Sequence, residues 1–135
     1  GGIHMAIVSV RRGGAAVAQE IVKVLTARRA LMSKIIIVDD DTDVFNMSAV
    51  IHAFATKCHP DRGTHIERYE GRANALTPAY SLEERVSRSG ATVAFDSTWP
   101  PEWPRETTPV RATLDSMYSP EIQRRVLERW KTLGL

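Results

Sequence analysis

The residues with the clearest chemical potential in this sequence are four carboxylates within five positions, Asp39-Asp40-Asp41-Thr42-Asp43. They follow the β-branched run from Ile35 to Val38, which predicts a strand buried on both faces, and α/β sheets bind ligands where such strands end. Carboxylates this close repel one another unless water, a cation or backbone N–H groups neutralise them. We favour a solvated turn whose acids cap the next helix. Cation binding is the alternative.

The spacing of these acids does not fit the calcium-binding loop of an EF-hand. Asp39, Asp41 and Asp43 would supply its first ligands. That loop then requires Gly at the position of Val44, for a sharp turn, and Glu at the position of Val50, as a bidentate ligand. The EF-hand pattern therefore does not support cation binding by these acids.

A second alternative is a phospho-accepting signalling domain. The run from Lys34 to Asp41, KIIIVDDD, resembles the first strand and acidic pair of receiver domains, and the run that starts at Asp96 is similar to their phospho-acceptor segment. That resemblance implies that Asp39, Asp40 and Asp96 hold Mg²⁺. The sequence departs from receivers because a strand and a helix precede the acidic strand. It also lacks a suitable later lysine, since Lys131 falls in the last predicted helix.

The remaining candidates do not complete a catalytic site. Arg11-Arg12-Gly13-Gly14 precedes a helix and could cradle a phosphate there, but no GxGxxG or GxxxxGK pattern is present, so a tight turn is favoured. Cys58 lies on an apolar helix face and is expected in the core. His52, His59 and His65 do not share metal-ligand spacing on one element. We therefore predict no catalytic residue and no metal site in this chain.

The spacing of apolar residues predicts the elements that hold these groups. Short β-branched runs predict strands at 6–10, 35–38, 64–69 and 92–95. Helical spacing predicts one helix around Ala18 to Leu25 and a second that Asn46 caps and Pro60 ends. The buried face predicted for the second helix is Ile51, Phe54, Ala55 and Cys58. Alternation of strands and helices predicts a single small α/β domain, with a mostly parallel or mixed sheet and helices on both faces.

The last third of the chain is predicted to be a loop followed by a helix. Four prolines between Thr98 and Pro109 exclude a regular helix or central strand, and Trp99 and Trp103 lie within this segment. Ser119-Pro120-Glu121 is typical of a helix start. The predicted buried stripe of that helix, and its stop, are Ile122, Val126, Trp130, Leu133 and Gly134.

Composition limits the class of protein. The 135 residues fit one domain, and a net charge of +2 predicts no nucleic-acid and no membrane partner. A single cysteine excludes an intrachain disulfide and suits a cytoplasmic location. We interpret residues 1–4 as a tag remnant ahead of a domain over 5–135. No signal peptide and no membrane-spanning run is expected.

One longer resemblance covers the chain from Met5 to Leu135. The segment from Ile35 to Ile66 is similar to the C-terminal domain of UbiD-type decarboxylases, in which a hydrophobic strand leads into VDDDIDV and a helix resembling VIWALATRCDP. The matching residues are Val38 to Asp41, Asp43, Val44, Val50, Ala53, Ala55, Thr56, Pro60 and Arg62. Val93 to Thr98 resembles the family's G-I-D-A-T strand, and Ser119 to Gly134 resembles its closing helix. Three motifs in order are more specific than any one alone.

Three positions depart from the family pattern. Thr42 replaces the usual Ile, His52 the usual Trp and Gly63 the usual second Asp. These departures indicate an outlying member and leave the substrate open.

The resemblance implies a role in decarboxylating aromatic or α,β-unsaturated carboxylic acids. Family enzymes use prenylated FMN with a divalent metal and potassium, held with a Glu–Arg–Glu network in a larger N-terminal domain. The expected partner is thus a UbiD-type catalytic domain or large subunit, and the isolated chain is expected to be inactive. The C-terminal domain is implied to mediate homo-oligomerisation, to close over the active site and to contribute apolar side chains.

The resemblance also identifies a pocket-lining segment. Asn74 to Pro78 matches the family's x-P-L-x-P pattern, which implies that Leu76 and Pro78 line the substrate pocket. An ordinary core leucine is the alternative for Leu76.

Overall fold

The computed structural model of the chain describes residues 4–27, 32–104, 106–110 and 112–133. In these ranges strands and helices alternate, and the predicted α/β fold class is confirmed. Residues 1–3 of the predicted tag remnant lie outside the described part. The elements are β1 (Met5–Val10), α1 (Ala15–Thr26), β2 (Lys34–Asp39), α2 (Met47–Lys57), β3 (Thr64–Tyr69), α3 (Leu82–Ser87), β4 (Gly90–Ser97), α4 (Leu114–Met117) and α5 (Pro120–Thr132).

The strands form one mixed sheet in the order β1-β2-β4-β3. Strands β1, β2 and β4 run parallel, and β3 pairs antiparallel with β4. Ile35 to Val38 of the central strand β2 are all buried, as the β-branched run predicts. Strand β3 lies at an edge of the sheet, where only part of its side chains are buried. An edge position suits the mixture of apolar and polar residues in this strand, THIERY.

Side chains alternate across β2, so its two faces build two separate cores. On one face Ile35 and Ile37 pack against α1, and on the other Ile36 and Val38 pack against α2. The helix residues in these cores are Ala18, Val22, Val50 and Ala53. Helices therefore cover both faces of the sheet, as predicted.

The buried face predicted for α2 is wrong by about one position. Val50 and Ala53 face the sheet, whereas Ile51 is 51% exposed. Apolar residues surround most of this helix, so spacing alone does not select a face. The small side chain of Ala53 lets the helix approach the sheet, and Phe54 packs edge-on against Phe95 with ring centroids 5.2 Å apart.

The chain divides into two compact units, Gly1–Trp103 and Pro104–Leu135. In the second unit, Ser119 caps α5 and Pro120 occupies its first turn, as predicted. The prediction that Ile122, Val126, Trp130 and Leu133 are buried is wrong, because no described residue of α5 is buried. Helices of 4 and 13 residues enclose too little volume for a core of their own. Gly134 lies outside the described residues.

None of the helices in the described ranges combines the length and the apolar character that a bilayer span requires.

Candidate functional site

Among the four aspartates at positions 39–43, Asp39 forms the most buried contacts. Its Oδ2 atom accepts hydrogen bonds from Nζ of Lys57 at 2.7 Å and from the backbone N–H of Trp99 at 3.3 Å. The ion pair is largely buried, with side-chain exposures of 18% for Asp39 and 11% for Lys57. Asp39 thereby ties the end of β2 to the end of α2 and to the loop after β4.

The side chains of Asp40 and Asp41 are more exposed than that of Asp39. Oδ2 of Asp40 lies 3.7 Å from Nε of Arg11, and both side chains are largely exposed. Oδ1 of Asp41 accepts the hydroxyl proton of Thr42 at 3.0 Å and lies 3.6 Å from Nζ of Lys57. Such exposed pairs contribute little stability.

The N-cap of α2 is Asn46, as predicted. The second prediction, that the aspartates of the turn cap this helix, is wrong. Oδ1 of Asn46 accepts a hydrogen bond from the N–H of Ala49 at 3.2 Å. Asp43 acts one turn earlier, where its Oδ1 accepts a hydrogen bond from the N–H of Phe45 at 2.9 Å. The acidic segment thus shapes the turn, and the amide side chain starts the helix.

No group of three or more His, Cys, Asp and Glu side chains in the described ranges is arranged to hold a metal ion. The carboxylate of Asp96 accepts hydrogen bonds from neighbouring residues instead. Its Oδ1 accepts hydrogen bonds from the N–H and hydroxyl of Thr98, and its Oδ2 from the N–H of Gly14. The described residues thus do not assemble Asp39, Asp40 and Asp96 into the Mg²⁺ site that the receiver resemblance implies.

The Gly13-Gly14 segment forms a close turn before α1. A Cβ atom on Gly13 would lie 1.8 Å from Oγ1 of Thr98, and Gly14 has a φ of 104°. Both positions therefore require glycine. Because the Gly14 N–H donates to the carboxylate of Asp96, the protein itself supplies the negative group at the start of α1. This leaves the phosphate interpretation without support.

The loop at residues 98–103 is irregular, as its prolines predict, and two stacked tryptophans organise it. The rings of Trp99 and Trp103 lie 5.7 Å apart at an angle of 26°. Nζ of Lys57 lies 5.5 Å from the Trp99 ring centroid, and the guanidinium carbon of Arg62 lies 5.7 Å from that of Trp103. Each is a cation–π contact.

This loop and the start of α1 line a cavity of about 320 Å³. Its charged lining residues have both signs, because Asp96 and Glu102 stand beside Lys57 and Arg62. Lys57 is already paired with Asp39, so the cavity does not present a net positive site.

The segment predicted to line a substrate pocket belongs to a loop between β3 and α3, residues 74–80, here called the Leu76 loop. Leu76 is 80% exposed, whereas Thr77 beside it is buried. Pro78 is also exposed. The alternative that Leu76 is a core leucine is therefore wrong.

Two titratable groups in the described ranges have shifted pKa values. Burial, and next the negative charge of Asp96, raise the pKa of the Cys58 thiol, although Ser97 lowers it in part. The thiol is thus kept in its protonated, poorly nucleophilic form. Burial also raises the pKa of Tyr69 to about 12, against a lowering by its hydrogen bond to Thr92.

Sequence reasoning missed two side chains that organise loops. Lys57 binds Asp39 beside the loop at residues 98–103, and Arg85 binds two carbonyl groups of the Leu76 loop. Lys57 is 18 residues from Asp39, and no spacing rule links residues at that separation. A local signal existed for Arg85, because Ser81 and Glu84 form a capping box that starts α3, and Arg85 follows Glu84 in the last turn of this short helix.

Residues 1–96 match the family model of the 3-octaprenyl-4-hydroxybenzoate carboxy-lyase C-terminal domain. A pyrrole-2-carboxylic acid decarboxylase of Pseudomonas aeruginosa is 28% identical over 104 residues, which are 77% of this chain and 21% of that protein. The chain thus spans about a fifth of this relative's length.

Solved structures with the same fold include a UbiD-class enzyme and a decarboxylase. The UbiD-class enzyme HmfF of Pelotomaculum thermopropionicum, in complex with FMN, has a TM-score of 0.64 at 20% identity, covering 85% of this chain and 25% of that one. An evolved dimeric form of HmfF in complex with prFMN has a TM-score of 0.52 at 16% identity, covering 88% and 23%. At these identities the likeness shows the fold alone.

The second is the vanillic acid decarboxylase of Sedimentibacter hydroxybenzoicus. Its closed form has a TM-score of 0.60 at 26% identity, covering 94% of this chain and 25% of that one. Its open form has a TM-score of 0.57 at 24% identity, covering 96% and 26%.

Proposed function

The chain belongs to the family of 3-octaprenyl-4-hydroxybenzoate carboxy-lyase C-terminal domains, and from that premise we propose that it acts as the C-terminal domain or small subunit of a UbiD-type decarboxylase. The proposed substrate is an aromatic or α,β-unsaturated carboxylic acid. The names of two relatives support the aromatic class, since pyrrole-2-carboxylic acid and vanillic acid are both aromatic acids. The catalytic residues would come from the partner domain.

The observation that carries this proposal is the exposed Leu76 loop. Leu76 and Pro78 present apolar surface to solvent from a segment whose backbone is hydrogen-bonded internally. Leu82 and Val86 of the following helix are 78% exposed as well. Apolar side chains on an ordered loop suit a domain that completes the wall of another domain's pocket.

The described residues do not fit the family's flavin or its metal. A flavin phosphate in the 320 Å³ cavity would meet the Asp96 carboxylate at the start of α1, and Lys57 there is already paired with Asp39. No described cluster of side chains is suited to a divalent ion. We therefore propose that prenylated FMN, the divalent metal and potassium bind in the catalytic domain or large subunit.

We also propose a role in active-site closure and homo-oligomerisation. The Sedimentibacter enzyme is known in open and closed forms, which supports a closing role for this fold. Trp103 is 37% exposed and rests on Trp99, so it is an aromatic anchor of the kind enriched at interfaces.

The catalytic proposal is tested by reconstitution. The Pseudomonas pyrrole-2-carboxylic acid decarboxylase would be prepared without the region that this chain matches, and combined with the chain by mixing or fusion. Carbon dioxide release from pyrrole-2-carboxylic and vanillic acids would be measured. We expect no flavin absorbance and no release from the chain alone, and release from the combination. Stoichiometric flavin binding by the chain alone would contradict the proposal.

The same assay tests Leu76 directly. Leu76→Ala should alter KM and the preference between the two acids. Val24→Ala, at a residue of α1 that is 65% exposed, serves as the control and should change neither. Equal kinetics for both variants would contradict the pocket-lining role of Leu76.

Oligomerisation is tested by light scattering on the eluting chain. We expect a dimer or larger species, and Trp103→Ala should shift it toward monomer because the exposed ring is lost. A monomer at high micromolar concentration would contradict an interface built by this chain alone.

A further inference from the structure

The side chain of Arg85 bonds to two carbonyl groups of the Leu76 loop. Nε of Arg85 donates to the backbone oxygen of Tyr80 at 2.9 Å, and Nη2 donates to that of Pro78 at 3.0 Å. The donors of a guanidinium form a rigid planar fork. Two bonds from one fork therefore fix the distance and direction between the two carbonyls, and with them the bend of the loop.

Arg85 is itself fixed by the start of α3. The Ser81 hydroxyl accepts a hydrogen bond from the N–H of Glu84 at 3.2 Å, and the Glu84 carboxylate accepts one from the N–H of Ser81 at 2.7 Å. This helix has only six residues and none of them is buried. Core packing does not hold this helix. The capping box and Arg85 hold its start, and the carbonyl of Arg88 after its end accepts hydrogen bonds from the N–H groups of Arg72 at 3.1 Å and Ala73 at 2.9 Å.

The far end of the loop is anchored to the sheet through Tyr80. The Tyr80 hydroxyl donates to the carbonyl of Ala91 at 2.8 Å and accepts from the N–H of Ala91 at 3.3 Å. The ring packs on the small core of Tyr69 and Ala73. A Cβ on Gly90 would lie 2.7 Å from the Tyr80 ring, so this strand end is shaped to receive it.

The backbone at Leu76 is ordered although its side chain is exposed. The N–H of Leu76 donates to Oδ1 of Asn74 at 3.0 Å, and the N–H of Thr77 donates to the carbonyl of Asn74 at 3.0 Å. The N–H of Tyr80 donates to the carbonyl of Thr77 at 3.2 Å. These backbone bonds thus set the position at which the Leu76 side chain is presented.

From this geometry we propose that Arg85 is a positioning residue for substrate selection, which it achieves by holding the Leu76 loop as a preformed wall of the pocket. The inference rests on the proposed function of that loop. A rigid apolar wall discriminates between acids of different size, because a pocket that cannot widen rejects the larger or leaves space around the smaller. A loosened wall accommodates both and loses selectivity.

The first arm of the test measures hydrogen exchange on the chain itself. Arg85→Ala should speed exchange of the Leu76, Thr77 and Tyr80 amides at least tenfold, with the amides of β2 unchanged. Arg85→Lys should give an intermediate effect, because an ammonium group reaches one carbonyl and not both. Arg68→Ala is the control, since Arg68 is an exposed arginine of β3. Unchanged exchange in Arg85→Ala would overturn the positioning role.

The second arm uses the reconstituted decarboxylase with pyrrole-2-carboxylic and vanillic acids. Arg85→Ala should reduce the ratio of the two kcat/KM values at least fivefold through KM, with kcat changed less than twofold. Arg85→Lys should recover part of the ratio, and Arg68→Ala should leave it unchanged. A ratio within twofold of wild type in an active Arg85→Ala enzyme would overturn the inference and leave the proposed function standing. Absence of activity with the unmodified chain would overturn the proposed function, while the exchange arm still decides whether Arg85 holds the loop.

Discussion

Replacing Lys57 by Met isolates the charge that neutralises the acidic turn. Methionine keeps most of the aliphatic length of lysine, so packing around the stem changes little, but it cannot pair with Asp39. The carboxylate then stays 82% buried with the N–H of Trp99 as its remaining donor, given an exposed fraction of 18%. The cation–π contact to Trp99 is lost as well.

The expected loss of unfolding free energy follows from these contacts. Removing one partner from a buried ion pair costs about 3–5 kcal/mol. The residual exposure of Asp39 and its bond from Trp99 reduce that cost, and loss of the cation–π contact adds about 0.5–1 kcal/mol. We therefore expect Lys57→Met to destabilise the chain by about 2–4 kcal/mol. Asp39→Asn in the same background should restore part of this, with a coupling energy of about 1.5–3 kcal/mol.

Urea unfolding followed by circular dichroism measures these differences, with Lys23→Met as the control at an exposed lysine of α1. That control should stay within about 0.5 kcal/mol of wild type. A Lys57→Met variant as stable as the control would refute the reasoning. So would a rise of several degrees in Tm on adding millimolar Mg²⁺ or Ca²⁺ that Asp40→Asn and Asp41→Asn abolish, because the acids would then await a cation.

Three further outcomes test the same structure. Gly13→Ala should cost about 2–3 kcal/mol in urea unfolding, because its Cβ would lie 1.8 Å from Oγ1 of Thr98; a smaller cost in a Thr98→Ala background would locate the clash there. Since burial raises the pKa of Tyr69 to about 12 from about 10 in the unfolded chain, the folded state holds its proton longer. The contribution of Tyr69 to the free energy of unfolding is complete below pH 10 and is lost as pH rises toward 12, by up to about 2–3 kcal/mol. Tyr69→Phe should flatten this fall of stability with pH. Stability that rises between pH 10 and 12 contradicts the assignment. Cys58 should react with a disulfide reagent at neutral pH at least tenfold more slowly than in urea, and an equal rate would show that the raised thiol pKa and the burial do not protect it.

Local structure could be predicted from the sequence where a residue type strongly favours one conformation. The run Ile35 to Val38 predicted a strand buried on both faces, because only a central strand covered on both sides suits such a run. Asn46 and Ser119 predicted helix starts for the same kind of reason, since their side chains accept bonds from the free N–H groups of a first turn. The ordered motifs around the VDDD segment were sufficient to indicate the family, which the match over residues 1–96 shows.

Long-range partners could not be read from spacing. Which residues of α2 face the sheet was decided by the contact of Ala53 with the core, and no described residue of the apolar stripe of α5 is buried. The role of the acidic turn depended on Lys57 and on a tryptophan N–H 60 residues away from Asp39. Sequence periodicity reports a residue's own helix or strand, whereas ion pairs and loop anchors form only when the sheet order brings distant segments together. For that reason the sequence by itself determined the family and most of the elements, but not the short helices α3 and α4. The tertiary structure alone decided which side chains hold the loops on which the proposed function depends.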